Sequence, residues 1–142
     1  MSAVTAWEAL FRAQVAVVRQ LGSEFPVRGL SLKEYDVLFN LSRQPEHRLR
    51  IRDLNRHLLL SQPSVSRMVD RLATRGLVAK EADPGDGRGT IVRLTDEGME
   101  LFRRAAAVHA ASIHQVVGSA LTREELETLT VLSDKLRLGA KG

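Results

Sequence analysis

Arg67 and Arg71 stand one helical turn apart in the run Ser61-Gln-Pro-Ser-Val-Ser-Arg-Met-Val-Asp-Arg-Leu-Ala-Thr-Arg-Gly76, with Ser61, Gln62, Ser64 and Ser66 leading up to them. Arginine forks onto guanine edges or phosphates, and amides and hydroxyls pair with base edges. This set therefore has the chemistry of contact with duplex DNA. A third arginine, Arg88, sits between two glycines in Asp83-Pro-Gly-Asp-Gly-Arg-Gly89. Plotted at about 100° per residue, Val65, Met68, Val69 and Leu72 share one arc, and Pro63, Ser66, Arg67, Asp70, Arg71 and Thr74 share the opposite one. The first arc must pack on a domain. The second carries what a major-groove helix presents, with Gln62, Ser64, Ser66 and Arg67 in the N-terminal half that reaches base edges. An amphipathic surface helix with solvated arginines would divide the same way. The neighbours decide between these readings, because a short helix and a tight turn precede and a basic, glycine-rich hairpin follows. Such a hairpin crosses the sugar–phosphate backbone and can set an arginine in the minor groove.

Other chemistries are not assembled. His109 and His114 are five apart and share no helix face, while His47 and His57 fall in other elements, so no metal site is expected. The chain has no cysteine, which removes thiolate metal ligands, thiol redox sensing and disulfides together. There is no Gly-x-Ser-x-Gly, and Ser61-Gln-Pro-Ser64 has no base beside it. Gly85-Asp-Gly-Arg-Gly89 lacks the Lys-Ser/Thr ending of a phosphate loop and opens no helix after a buried strand. The reading is a non-enzyme with no cofactor.

The elements that must position these residues follow from caps and periodicity. Thr5-Ala-Trp-Glu8 has capping-box spacing and opens a helix with Leu10, Val15, Val18 and Leu21 apolar, ending at Gly22. Ser31-Leu-Lys-Glu34 is a second capping box, with Leu30 and Tyr35 as its hydrophobic staple, and its helix should finish before Pro45. Ile51, Leu54 and Leu58 make a short helix, residues 59–61 a tight turn, and residues 61–76 the reading helix. Ser61 is its expected N-cap, Pro63 loses no bond in the first turn, and Gly76 is the left-handed stop. The period then changes. Residues 78–82 and 90–93 read as short strands about a turn-rich tip at 83–89. Thr95 should cap a long helix from 96 to about 118, and Thr122-Arg-Glu-Glu125 opens a last helix with Leu126, Leu129, Leu132 and Leu136 on one face. The fold class is mainly α with a small β-hairpin wing, a winged helix-turn-helix of order α-α-α-α-β-β-α-α.

The net charge is +4 over 142 residues. Between positions 48 and 95, ten basic residues face five acidic ones, a local +5, while the rest of the chain carries −1. A basic segment of this kind favours a polyanion, although solvated arginine faces also produce one. No apolar run approaches a membrane span, and Glu8 and Arg12 interrupt any signal-peptide core, so a cytoplasmic protein without membrane contact is expected.

The run Leu60 to Leu77, followed by Asp86-Gly-Arg88 and Val92-Arg-Leu-Thr-Asp-Glu-Gly98, resembles the MarR family of bacterial regulators, and the leading and trailing helices match that family's layout. The resemblance implies a homodimer paired through its first and last helices, bound to a pseudo-palindromic operator and released by a small aromatic or phenolic effector. It implies Arg88 in the minor groove, Asp86 steadying the wing by pairing with an arginine, and Gln62, Ser64, Ser66 and Arg67 in the major groove. Arg71 would take a phosphate. Where many relatives carry a second wing arginine, Gly87 and Gly89 flank Arg88 here, which implies a more flexible wing with fewer phosphate contacts. The leucine stripe on the last helix supports the dimer independently, although some of those leucines could pack within one subunit. The resulting division is 1–44 for dimerisation and support, 45–95 for the winged helix-turn-helix, and 96–142 for dimerisation. A ligand pocket lined by Trp7, Arg12, Tyr35, Phe39 and His109 would follow from the same resemblance, against the simpler reading of core aromatics and a solvated arginine. The alternative function is a winged-helix protein-interaction module without DNA binding, which would not need arginines on both the helix and the wing.

Overall fold

Caps and apolar spacing sort the described residues, 2–59 and 64–140 of a computed structural model, into six α-helices and three strands. In chain order these are α1 (Ala3–Gly22), α2 (Leu32–Ser42), β1 (Arg48–Arg50), α3 (Ile51–His57), α4 (Val65–Thr74), β2 (Val78–Asp83), β3 (Asp86–Leu94), α5 (Asp96–Val116) and α6 (Arg123–Gly139). They divide into a central unit, Phe25–Val108, and a terminal unit drawn from the residues on either side. Residues 25–44, read from the sequence as part of the 1–44 dimerisation and support segment, fold with the central unit, because α2 supplies Val37, Leu38 and Leu41 to its core.

The central unit is held by local signals that meet in one core. The Ser31 hydroxyl accepts from the Glu34 N–H at 3.1 Å and the Glu34 carboxylate accepts from the Ser31 N–H at 2.8 Å, the reciprocal capping expected of α2. Leu30, Leu38, Leu41, Leu54, Val69, Leu72 and Val92 are fully buried together. At the end of α4 the Leu77 N–H reaches the Leu72 carbonyl and the Gly76 N–H reaches that of Ala73, both at 3.0 Å. Gly76 sits at φ +77, a conformation that a Cβ would strain. Thr95 then accepts from the Gly98 N–H at 3.0 Å and donates to the Gly76 carbonyl at 2.7 Å, joining the end of α4 to the start of α5.

Four expectations are corrected. A third strand, β1, pairs antiparallel with β3 from Arg48↔Arg93 to Arg50↔Ile91, giving the sheet order β1-β3-β2. Three residues are too few to show alternation, so only the long-range pairing reveals it. The hairpin tip is tighter than residues 83–89, since the strands continue to Asp83 and Asp86 and leave Pro84 and Gly85 as the turn. The register slips between Ala82 and Asp83, so Gly87, Arg88 and Gly89 have no partners on β2. Helix α1 is capped by Ser2, whose hydroxyl accepts from the Thr5 N–H at 3.2 Å, so Thr5 lies inside the helix. Helix α4 begins at Val65 with Ser64, in extended conformation, as its cap. Ser61, the expected cap, lies outside the described residues with Gln62 and Pro63.

The terminal unit is less buried. Helix α6 opens on the expected Thr122–Glu125 capping box yet buries no residue, and α1 buries Leu21 alone. No helix among the described residues is long and apolar enough to cross a membrane.

Candidate nucleic-acid interface

Helix α4 turns Met68, Val69 and Leu72 into the core and leaves Ser66, Arg67, Asp70, Arg71 and Thr74 exposed, the two faces read from the sequence. The Ser64 hydroxyl accepts from the Arg67 N–H at 3.3 Å, so its oxygen is engaged while its proton is available to an acceptor. Arg71 lies along its own helix with one guanidinium nitrogen 3.4 Å from the Met68 sulfur. Asp70 would bring negative charge to this face, but Lys80 of β2 meets its carboxylate at 2.6 Å. Of the sequence-derived DNA contacts, Ser61 and Gln62 lie outside the described residues.

The wing is anchored mainly by a residue the sequence reading passed over. Asp83, at the end of β2, is almost wholly buried. It accepts from the Gly85 N–H at 2.9 Å and meets Arg50 Nε at 2.6 Å, in an ion pair without the alignment of a full hydrogen bond. Asp86, the expected wing support, accepts from the Arg88 N–H at 3.1 Å and faces Arg52 at 3.8 Å. Arg50, Arg52, Ser66, Asp86 and Arg88 line one depression, which sets the wing root beside the N-terminal half of α4.

Charge pairing across the central unit is selective. Of the ten basic residues between positions 48 and 95, seven (Arg48, Arg50, Arg52, Arg56, Arg75, Lys80 and Arg93) form ion pairs. The three that form none among the described residues are Arg67, Arg71 and Arg88. On the sheet, Glu81 sits between Arg93 at 2.7 Å and Arg48 at 3.7 Å. The hydrogen bond from Arg93 is the main cause that lowers the Glu81 pKa, opposed by desolvation and helped by the charges of Arg48 and Arg93. No cluster of three or more His, Asp or Glu placed to hold a metal occurs among the described residues.

The five residues nominated for a ligand pocket separate between units. Tyr35 and Phe39 belong to the central unit, where Tyr35 is buried in an aromatic cluster with Phe25, Phe39 and Phe102 at centroid distances of 5.3–6.5 Å. Burial raises the Tyr35 pKa, with the Arg43 charge opposing. Trp7, Arg12 and His109 belong to the terminal unit. Trp7 and Phe11 meet edge to face at 5.5 Å on α1, and with Arg12 they line a shallow groove.

Arg50, Asp83 and Lys80, whose ion pairs brace the candidate interface, are the residues that sequence reading missed. Asp83 was read only as part of a turn, yet its place two residues before Gly85 is Asx-turn spacing and was a usable signal. Nothing local marks Arg50 or Lys80, because their partners lie on other elements.

The MarR family model matches residues 28–89, from the approach to α2 through the wing. The transcriptional regulator YkoM of Bacillus subtilis (strain 168), of helix-turn-helix type, is 32% identical over 108 residues, 75% of this chain and 68% of its own length. The crystal structure of Sco3205, a MarR family transcriptional regulator from Streptomyces coelicolor in complex with DNA, superposes with TM-score 0.80 at 28% identity, covering 100% of this chain and 91% of its own. BpsR of Bordetella bronchiseptica, a protein whose DNA binding is regulated by 6-hydroxynicotinic acid, superposes with TM-score 0.76 at 26% identity over 94% of this chain and 98% of its own. Fold, exposed cationic face and these likenesses lead to one conclusion: the chain belongs to the MarR family of transcriptional regulators.

Proposed function

We infer that the chain works as a homodimeric repressor that binds a pseudo-palindromic operator and lets go when a small molecule binds. Ser66 and Arg67 of α4 and its cap Ser64 address the major groove, with Ser61 and Gln62 just before them in the chain. Arg71 takes a phosphate and Arg88 the minor groove. The observation that carries this reading is the charge census: between positions 48 and 95, the arginines with no ion pair among the described residues are those on the exposed face of α4 and on the wing. Cations kept free of acidic partners can release counterions from DNA at no cost in broken ion pairs.

The dimer rests on what the terminal helices leave uncovered. An amphipathic helix gains most of its stability from packing its apolar face, and α6 buries none of its residues within the chain. Leu132 and Leu136 are 57% and 55% exposed and Trp7 is 55% exposed, which a second copy would cover. Two winged domains held about one helical turn of DNA apart, roughly 34–36 Å, would then read two half-sites. The effector is inferred by likeness to BpsR, and an aromatic acid or phenol is the class to try.

The test is selection of duplexes from a random-sequence library with the intact protein, followed by anisotropy titration with and without aromatic acids and phenols. A two-fold-symmetric consensus, bound with a steep salt dependence and weakened by a ligand, is expected. Enrichment of no sequence would leave only a protein-interaction module.

A further inference from the structure

Helix α3 begins without a side-chain cap, because its N-cap residue is Arg50, which has no acceptor to offer. Its guanidinium reaches instead to the wing root, 2.6 Å from Asp83 Oδ2. The Asp83 side chain is 3% exposed, and its other oxygen holds the turn through the Gly85 N–H at 2.9 Å. Gly89, on the returning strand, packs so tightly on this carboxylate that a Cβ there would come within 3.2 Å of Asp83 Cβ. One buried carboxylate thus touches both arms of the hairpin, and one arginine ties it to the helix-turn-helix. The strand ladder cannot do this work, since Gly87, Arg88 and Gly89 have no partners on β2. A buried carboxylate robbed of its cation is strongly destabilised, so the pair resists opening.

We propose that Arg50 is a positioning residue for DNA reading: paired with Asp83, it fixes the wing against α3 so that Arg88 meets the minor groove while α4 occupies the major groove. This role rests on the function proposed above. It also answers the flexibility that two glycines beside Arg88 would otherwise bring, because the wing is pinned at Gly89, the last residue of the unpaired segment.

The experiment uses the full chain and a duplex enriched by the wild-type protein, and measures affinity and hydroxyl-radical footprint for Arg50→Met, Arg50→Lys, Asp83→Asn, Arg88→Ala and the Arg50→Met/Arg88→Ala pair. Arg50→Met and Asp83→Asn should each weaken binding about tenfold and erase the wing's minor-groove protection. Arg50→Lys should recover most of the affinity. Added to Arg88→Ala, Arg50→Met should cost less than about twofold, since no wing contact is left to position. Multiplying losses in the pair, or an intact wing footprint in Arg50→Met, would overturn the proposal and make Arg50 a direct phosphate contact or a bystander. If Arg50→Met unfolds, the Asp83→Asn/Arg88→Ala cycle decides in the same way. A wild-type protein that enriches no duplex refutes DNA reading itself, a result seen before any variant is made.

Discussion

The central residue-scale fact is that, between positions 48 and 95, three arginines have no acidic partner among the described residues while the seven other cations do. Arg67 sits in the first turn of α4, where a guanidinium can fork onto the O6 and N7 of a guanine. Arg67→Ala should weaken operator binding by about 1–3 kcal/mol and flatten base preference at one position in each half-site. Titration against single-base variants of the operator reads both effects, and a uniform loss across all variants would make Arg67 a phosphate contact. Lys80 shows the opposite device. By meeting Asp70 it cancels a negative charge on the reading face, a contact that carries little stability at this exposure but keeps that face from repelling phosphate.

At the scale of elements, the critical joint is where α4, β2 and α5 come together. Thr95 bonds to the Gly76 carbonyl and caps α5, and the Thr95 N–H reaches the Leu77 carbonyl at 3.1 Å. Gly98 lies in this joint with no room for a side chain: a Cβ would stand 2.0 Å from the Leu77 carbonyl oxygen and 2.8 Å from Leu94 Cδ1. The first is a backbone atom that cannot swing aside, and the second ends a side chain that is itself buried. Gly98→Ala should therefore push α5 off the sheet and destabilise the protein by about 1–3 kcal/mol. The check is chemical denaturation, and an unchanged midpoint would mean that α5 is not seated as described. The same joint explains why the reading helix stops cleanly, since Gly76 accepts the left-handed turn that aims β2 back along the wing.

For the whole molecule, the terminal helices expose apolar surface that a second copy would bury. Leu132→Glu places a charge where the proposed dimer would bury this face, and light scattering should then report monomers and a sharp loss of operator affinity. A persistent dimer would move the interface elsewhere. The terminal unit also carries a titration. Burial lowers the pKa of His109, with the Glu24 charge opposing. The neutral imidazole is then favoured in the folded state, so the unfolded chain binds more protons between its ordinary value of 6.5 and the lowered folded value. This contribution is present above that window and lost as pH falls through it. Thermal unfolding followed from about pH 8 to about pH 5 should show a decline that His109→Gln reduces; equal slopes would exclude His109 as its source.

What the sequence determined by itself was most of what depends on neighbours three or four residues away, although the caps of α1 and α4 proved to be Ser2 and Ser64 instead of Thr5 and Ser61. The capping boxes at Ser31 and Thr122, the Thr95 cap, the glycine stop at Gly76 and the division of α4 into core and reading faces were all legible, because they are short-range hydrogen bonds and helical periodicity. Tertiary structure alone decided which of several chemically equal residues meet. Arg48 to Arg50 became a strand only because β3 lay alongside, with Arg50 opposite Ile91. Arg50 became the wing's anchor because Asp83 was buried within its reach, and Lys80 was spent on Asp70 ten residues away. The ten basic residues look alike along the chain, since charge is a property of type. Freedom from an ion pair is a property of place, and among the described residues of this segment it fell to Arg67, Arg71 and Arg88 because folding brought acidic partners to the others.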